Sequence, residues 1–561
     1  MKLDLTSLKN RTAWDAAGVK LPEFDIPAVI ENTKATPTWV HFGAGNIFRG
    51  YVANLQNDLL NKGLASTGII AVDSSDGDQL VKVYRPFDNL TLLVTLYADG
   101  EAKKEVVASV TEALHADWGK ADQLARLRKV FAAPTLQLCS FTITEKGYAV
   151  KGGDGKFTLA VEHDIEAGPD DLTNVMTKVT ALLYHRYMNG AYPIAVVSMD
   201  NCSHNGEKLR ASILSIAEAW LARGFVPQGF VEYLSDEERV SFPWSMIDKI
   251  TPRPNKDIAD KLEALGIENM QPIARQHGAA VAPFVNAESC QYLVIEDRFP
   301  NGRPPLEKAG VIMTDRDTVN KTERMKVTTC LNPLHTALAV LGCLLGYKRI
   351  YEEMRDDDLR RLVEHIGYAE GMPVVTNPVV LDPRAFLDAV LNERLPNPYI
   401  PDMPQRIACD TSQKIPVRFG ETIKAYIASD SLELSSLRAI PFAIAAWLRY
   451  LLAMDDELSP MELSDDPRIP ELQEKLAGIE IGKPESCAGQ LDAILSDDSI
   501  FGADLCKAGL SGTVEGFFKQ MLAGAALCAP RSTSWSKASE AKNADKGILY
   551  RQAVYAHFRH P

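Results

Sequence analysis

The chain has 561 residues, 46% of them hydrophobic, and a formal net charge of −14. That length predicts two main domains with some decoration, and the acidic balance argues against nucleic acid and anionic membrane surfaces as partners. No run of about 18 apolar residues is free of polar interruption, so no membrane span is expected. The first residues, Met-Lys-Leu-Asp-Leu-Thr-Ser-Leu-Lys-Asn-Arg, carry no apolar core of a signal peptide. Nine scattered cysteines, with no Cys-x-x-Cys pair, read as reduced thiols of a cytoplasmic protein.

Residues 1–36 are polar with short apolar breaks and read as an N-terminal arm packed on the body. Then comes Thr38-Trp-Val-His-Phe-Gly43-Ala-Gly45-Asn46-Ile47-Phe48-Arg49-Gly50, a short apolar strand running into glycines, with a helix beyond through Tyr51, Leu55 and Leu59. Glycines at such a junction let backbone N–H groups approach a pyrophosphate at a helix N-terminus. The third position of the usual fingerprint is Phe48 in place of glycine, and Gly-x-Gly by itself is a weak sign. The next apolar run, Gly68-Ile-Ile-Ala-Val-Asp73, ends in a carboxylate 28 residues after Gly45. An acidic strand end accepts a hydrogen bond from an adenosine ribose and repels a 2′-phosphate. This favours NAD over NADP unless Arg49 or Lys82 compensates. A plain turn aspartate fits the same pattern.

Residues 89–97 and 106–110 read as strands. So does Leu136-Gln-Leu-Cys-Ser-Phe-Thr-Ile-Thr144, which ends in the polar turn Glu145-Lys146-Gly147-Tyr148. Residues 151–170 read as a loop and 172–186 as a helix. Tyr192-Pro-Ile-Ala-Val-Val-Ser-Met199 reads as a parallel-type strand ending in Asp200-Asn201-Cys-Ser-His204-Asn205-Gly206. Ligands of open α/β sheets sit beyond strand C-termini, which places Asn201 well. A helix is expected over 207–223. Phe242-Pro-Trp-Ser-Met-Ile-Asp248-Lys-Ile-Thr-Pro252 is a rigid, proline-punctuated segment whose Asp248 is either a site residue or a turn aspartate. Gln291-Tyr-Leu-Val-Ile-Glu296-Asp297 reads as a short strand, and Asn301-Gly-Arg-Pro-Pro as linker punctuation, so a domain boundary is expected near 300–318.

Beyond it the pattern turns mostly helical. Residues 324–344 set Lys326, Asn332 and His335 at the mouth of an apolar run in which Leu334, Leu338, Leu341 and Leu344 recur at helical spacing. Asn332 followed by Pro333 reads as an N-cap and first helical position. Asn332 and His335, three apart, share a face. They are either site residues or polar groups satisfied inside a core helix. Helices are also expected over 352–365, 383–393, 419–428, 437–454 and 468–476. Between them Arg406-Ile-Ala-Cys-Asp-Thr-Ser-Gln-Lys414-Ile-Pro-Val-Arg418 collects cations suited to a carboxylate or several hydroxyls, or else ordinary paired surface charge. Residues 456–505 look peripheral, and the end from Arg531 looks like a polar wrap. There is no Walker A pattern, no Gly-x-Ser-x-Gly, no His-Glu-x-x-His and no internal repeat, and metal ligation is not signalled.

Taken together, Gly43-Ala-Gly-Asn-Ile-Phe-Arg49, Thr144-Glu-Lys-Gly-Tyr148, Ser198-Met-Asp-Asn201 with Asn205-Gly206, Phe242-Pro-x-Ser-Met-Ile-Asp248-Lys-Ile-Thr-Pro252, Glu296-Asp-x-Phe and Asn332-x-x-His335 resemble the polyol-specific long-chain dehydrogenase/reductase family, over about residues 36–450. The family includes mannitol and arabinitol dehydrogenases and fructuronate and tagaturonate reductases. The resemblance implies an α/β fold: a Rossmann-type NAD-binding domain, then a mostly α-helical substrate domain, with a substrate cleft between them and no metal in the chemistry. With the boundary above, the expected organisation is an arm over 1–36, an NAD-binding domain over 37–310 and a helical domain with C-terminal extension over 311–561. NAD contacts are expected from Gly43, Gly45, Asn46, Ile47, Phe48, Asp73, Thr144 and Glu145.

Carried over by motif, the general base is Lys326, the amides that hold the developing alkoxide are Asn201 and Asn332, the substrate oxygen is oriented by His335, and Asp248 supports the site. Arg406 and Lys414 match the substrate-binding pair of the Arg-x-x-x-Asp-x-Ser-x-Lys pattern, and Lys146 is a further substrate contact. One departure matters. The family lysine stands five residues before the asparagine, whereas Lys326 stands six before Asn332. One inserted residue turns an α-helix by about 100°. A π-bulge or a non-helical segment before Pro333 would absorb it; otherwise Lys321, then Lys249, is the fallback base. The Thr-Glu-Lys-Gly-Tyr form is closest to the uronate-reducing members, which implies D-mannonate/D-fructuronate as the substrate pair. The alternatives are a neutral polyol dehydrogenase, a tagaturonate reductase, or a NAD-binding protein that has lost catalysis. The partner is then a small sugar acid or polyol, with the chain a monomer or small homo-oligomer.

Overall fold

The computed structural model describes residues 1–523, so the expected wrap from Arg531 lies outside the described residues. The chain divides into two compact units, Met1–Asn320 and the part from Lys321 onward.

The first unit is built on six parallel strands: β1 (Trp39–Phe42), β2 (Ile69–Asp73), β3 (Val110–His115), β4 (Leu138–Phe141), β5 (Ile194–Ser198) and β6 (Val240–Ser241). Their order across the sheet is β3-β2-β1-β4-β5-β6. This is the doubly wound dinucleotide-binding order, which reverses between β1 and β4. The strands are apolar on both sides because both sides are covered. Along β1, Val40 and Phe42 pack into one core with Ile70, Val72 and Phe141, while Trp39 packs into the other with Ile69, Ala71 and Leu138. The register is flush at the switch, with Phe42 opposite both Val72 and Phe141.

A second sheet runs Val19–Lys20, Ala102–Val107, Thr91–Leu96, Phe284–Glu288, and a third runs Ser245–Asp248, Tyr292–Glu296, Ile312–Thr314. The N-terminal stretch is therefore woven into the unit. Val19–Lys20 pairs with Ala102–Val107, and helix Ile26–Ala35 is capped by Asp25, which accepts from the Ala28 N–H at 3.1 Å. The loop expected over 151–170 holds a helix, Leu159–Ala167, whose Val161, Asp164 and Ile165 are buried at helical spacing and which stops at Gly168. Its polar exposed face hid it.

From Lys321 the described residues form helices and turns and no strand. Helix Ala439–Tyr450 is buried along its whole length, and Asn332–Leu344 nearly so. Three expectations are corrected here. Asn332 is not an N-cap: it is the first residue of its α-helical stretch, preceded by Leu331, and it follows directly on a π turn, Lys326–Cys330. The helix Arg316–Leu344 is long and apolar enough to cross a membrane by length and composition, against the expectation that no such stretch exists; 83% of its apolar window is buried within the protein, as for a core helix. Nor is 456–505 peripheral, since Leu472, Ile494, Leu495, Ile500 and Phe501 are all fully buried and Phe501 packs edge-on against Trp447.

Candidate active site

In the first unit the site grows from the end of β1. Gly43 has φ +111°, and a Cβ there would lie 2.2 Å from the Thr142 carbonyl oxygen, so only glycine lets β1 leave the sheet this close to β4. Its N–H donates to the Val72 carbonyl at 2.9 Å. Gly45 faces open space, with nothing within 4 Å of where a Cβ would stand. Asn46 begins the helical stretch, and its side-chain amide donates to the Pro252 carbonyl at 3.2 Å. Ile47 is half-buried. Phe48 is fully buried and stacks on His41 with ring centroids 4.2 Å apart, so any part it plays in cofactor binding falls to its backbone. His41 itself is a satisfied core residue. Its ring nitrogens face Ser140 Oγ at 2.7 Å and Thr142 Oγ1 at 2.9 Å, and burial pushes its pKa down to about 3.

Asp73, at the end of β2, is buried. Its Oδ1 accepts from the Ser75 N–H at 2.8 Å and Ser75 Oγ at 2.6 Å, while Oδ2 has no partner among the described residues. A buried carboxylate oxygen left unpaired is costly. A ribose hydroxyl would satisfy it. The bare approach at Gly43, the open face at Gly45 and this unused acceptor fit a dinucleotide at the switch point.

Thr144 and Glu145 lie beyond β4 on a turn held from β5. The Asp200 carboxylate accepts from the Ile143 N–H at 2.8 Å, the Thr144 N–H at 3.0 Å and the Tyr148 hydroxyl at 2.5 Å. Burial, opposed by these bonds, pushes the Asp200 pKa up. Thr144 sits at φ 68°, ψ 159°, a region that β-branched residues avoid. Glu145 is exposed and paired with Lys208, and Lys146 is exposed. Asn201 is exposed immediately after Asp200. Asn205 fixes this turn: its amide donates to the Asp200 carbonyl at 3.0 Å and the Ser245 carbonyl at 2.9 Å, and its oxygen accepts from the Ser245 N–H at 3.0 Å. That ties Ser245–Asp248 to the end of β5 and leaves Asp248 buried at its strand's end. Burial first, then the Asp248 charge, pushes the Tyr51 hydroxyl pKa up. Lys249 donates to the Glu288 carbonyl at 2.5 Å and to Gln291 Oε1 at 3.1 Å, which engages the amine of the lower-ranked fallback.

In the second unit Lys326 is buried and opens the π turn Lys326–Cys330, which the Leu331 N–H closes on the Lys326 carbonyl at 3.0 Å. A π turn takes up one extra residue without rotating the helix on either side, and one stands here, within the six-residue step from Lys326 to Asn332. Lys321 lies on Arg316–Met325, ahead of the turn. Asn332 is half-buried. His335 has its buried Nε2 3.2 Å from Asp402 Oδ2, and Asp402 Oδ1 accepts from Arg406 at 2.8 Å. Burial pushes the Asp402 pKa up, but the neighbouring His335 and Arg406 outweigh it and hold the carboxyl below its usual range. Arg406 keeps 69% of its side chain exposed. Lys414 is half-buried and donates to the Ile407 carbonyl at 3.1 Å and to the Cys409 carbonyl, with its pKa pushed down by burial and then by Arg418. The structure thus joins His335 to Arg406 through Asp402, and turns the Lys414 amine toward backbone carbonyls.

Models of two families match this chain: the mannitol dehydrogenase Rossmann domain over residues 37–308 and the mannitol dehydrogenase C-terminal domain over 318–522. The chain belongs to the mannitol dehydrogenase family. This makes it an NAD-dependent oxidoreductase of secondary alcohols. Among its relatives, the D-mannonate oxidoreductase of Thermotoga maritima is 50% identical over 93% of this chain and 97% of its own length. Among solved structures, a D-sorbitol dehydrogenase in substrate-free form superposes with a TM-score of 0.74 at 26% identity, covering 91% of this chain and 97% of that one. Mannitol 2-dehydrogenase of Pseudomonas fluorescens, in ternary complex with NAD and D-mannitol, gives 0.66 at 26%, covering 94% and 100%.

Two residues of this family member escaped sequence reasoning. Asp200 was visible only as the neighbour of Asn201, and its partners lie more than 50 residues away. Asp402 stands four residues before Arg406, one helical turn, and that spacing was the available signal.

Proposed function

We propose that this chain interconverts D-mannonate and D-fructuronate with NAD(H). The observation that carries the reading is the 50% identity to a D-mannonate oxidoreductase along 93% of the chain. The 37–310 region holds NAD through the Gly43–Phe48 turn and Asp73, with Thr144 and Glu145 on the adjoining loop. When bound, NAD(H) takes up or supplies the hydride.

The chain's own groups manage the oxygen and its proton. Lys326 takes the hydroxyl proton in oxidation and returns it in reduction. Its burial meets one condition for such a role, since a desolvated amine is more easily deprotonated. The side-chain amides of Asn201 and Asn332 donate to the oxygen as charge develops on it. His335 orients that oxygen, and Asp248 supports the site from beside Tyr51. The exposed fork of Arg406 suits a substrate carboxylate, with Lys414 and Lys146 as further contacts. The eight cysteines among the described residues are unpaired, which supports a reducing, cytoplasmic setting, and the charge of −14 supports a small-molecule partner over nucleic acid. A monomer or small homo-oligomer suffices for these roles.

The test is a panel of fructuronate, tagaturonate, fructose and xylulose, each with NADH and with NADPH. Fructuronate with NADH should be reduced fastest. Faster turnover of fructose or xylulose would replace the reading with that of a neutral polyol dehydrogenase, for which Arg406→Ala should cost little. On the present reading that substitution damages uronate turnover more than turnover of a neutral ketose.

A further inference from the structure

We propose that Asp402 is a positioning residue for His335, fixing which ring nitrogen meets the substrate oxygen. The inference rests on the reaction proposed above. His335 stands on the first turn of Asn332–Leu344, anchored by its own N–H donating to the Leu331 carbonyl at 3.0 Å. Its Nε2 is buried, makes no well-aligned hydrogen bond among the described residues, and lies 3.2 Å from Asp402 Oδ2, its nearest charged neighbour in the ion pairs described. Asp402 is buried and cannot swing away freely: Oδ1 accepts from Arg406 at 2.8 Å, and its main-chain oxygen accepts from the Ile350 N–H at 3.1 Å.

An ionised carboxylate only accepts hydrogen bonds, and a neutral imidazole carries a single N–H. With Oδ2 beside Nε2, the ring proton belongs on Nε2, and Nδ1 is left to face the substrate as an acceptor, or as a donor once the ring is doubly protonated. The tautomer of a working histidine is commonly set by the bond its other nitrogen makes. The same carboxylate is shared with Arg406, so the group expected to meet the substrate's acid end is braced by the group that orients the histidine. The charged groups facing Asp402 are His335 and Arg406.

The experiment is a double-mutant cycle on the full chain, with fructuronate and NADH, using Asp402→Asn, His335→Gln and both together. Asp402→Asn should lower kcat by about 10–100-fold, the usual cost of losing such a partner, with KM for NADH unchanged. In the His335→Gln background the same change should alter kcat by less than about twofold, because a residue acting through His335 has nothing left to act on. Asp402→Glu, which keeps the charge, should recover most of the loss, and it carries the test if the asparagine variant does not fold. Equal losses in both backgrounds would overturn the proposal. A second readout needs no turnover: imidazole nitrogen chemical shifts measured by NMR should show the His335 ring proton on Nε2, and a proton on Nδ1 would also overturn the proposal. A wild-type protein inert toward the whole substrate panel would sink the proposed reaction instead, leaving the NMR result to decide the role of Asp402.

Discussion

The two units place their chemical groups by different means. The first uses strand ends: Gly43, Asp73, Thr144 and Asn201 all stand just beyond or at the C-termini of β1, β2, β4 and β5, where a parallel sheet delivers them in register. The second uses an irregularity in a helix, since Lys326 opens a π turn and Asn332 follows it. Regular geometry tolerates sequence drift on its surface and fixes position by pairing. A π turn fixes position through the number of residues it contains. The difference teaches that the first site is sensitive to what its residues are, and the second also to how many there are. Five π turns occur among the described residues, so the turn alone marks no site; the role proposed for this one rests on the buried lysine at its start.

The sharpest way to break that comparison is to change the count. Inserting one alanine between Lys326 and Asn332 should swing the lysine by about 100° and cost kcat roughly 10²–10⁴-fold, as much as Lys326→Ala, while NADH still binds. Deleting one residue of the π turn should instead give an ordinary α turn with the lysine still aligned, and retain activity within about tenfold. If insertion and deletion damage turnover equally, the extra residue is not absorbed as described. Stopped-flow single turnovers with NADH separate the chemistry from binding.

Next in size, Asp73→Asn should raise KM for NADH by about tenfold and narrow the preference over NADPH, because the removed charge both accepts from a ribose and repels a 2′-phosphate. Smaller again, Asp200→Asn should loosen the strained Thr144 turn and raise KM for NADH severalfold, with kcat falling less. An unchanged KM would show that the turn holds without its carboxylate.

The last prediction sets the units against each other in stability. Burial pushes Glu370 up to about 7, although the Arg438, Ala439 and Ile440 N–H groups all bond to it. The folded second unit therefore holds a proton that the unfolded chain releases near 4.5, and it loses stability as pH rises from about 4.5 to 7, by about 3 kcal/mol. His41, lowered to about 3 by burial, works the other way: the unfolded chain gains a proton near 6.5 that the fold excludes, so the first unit weakens as pH falls from 6.5 toward 3. Calorimetry across pH should show transitions that move in opposite directions, and Glu370→Gln should flatten the pH dependence of the second unit alone. Transitions that move together would refute the assignment of these groups to separate units.

Much of the first unit was legible in the sequence. Apolar runs ending in glycine or aspartate are local signals, and they put Gly43, Gly45, Asp73 and Asn201 where strand ends lie. The helix Leu159–Ala167 was missed because only three of its residues face the core, so its period is short and diluted by acids. The 456–505 region looked peripheral because its helices are too short to show a period, yet each contributes one or two buried side chains. In the second unit Lys326, Asn332 and His335 stood out at the mouth of an apolar run, but their roles were reached through family resemblance, since a π turn leaves no mark in hydrophobic spacing. Asp402 and Asp200 were not found, because what matters about them is a distant partner.

The turn at Lys326 bears on how such chains are recognised. A pattern that demands a fixed interval from lysine to asparagine would discard this sequence, although a π turn, which takes up one extra residue, stands in that interval. Searches for relatives with the same chemistry should therefore allow a single gap at that place, and proteins judged inactive for want of the interval should be assayed before they are dismissed.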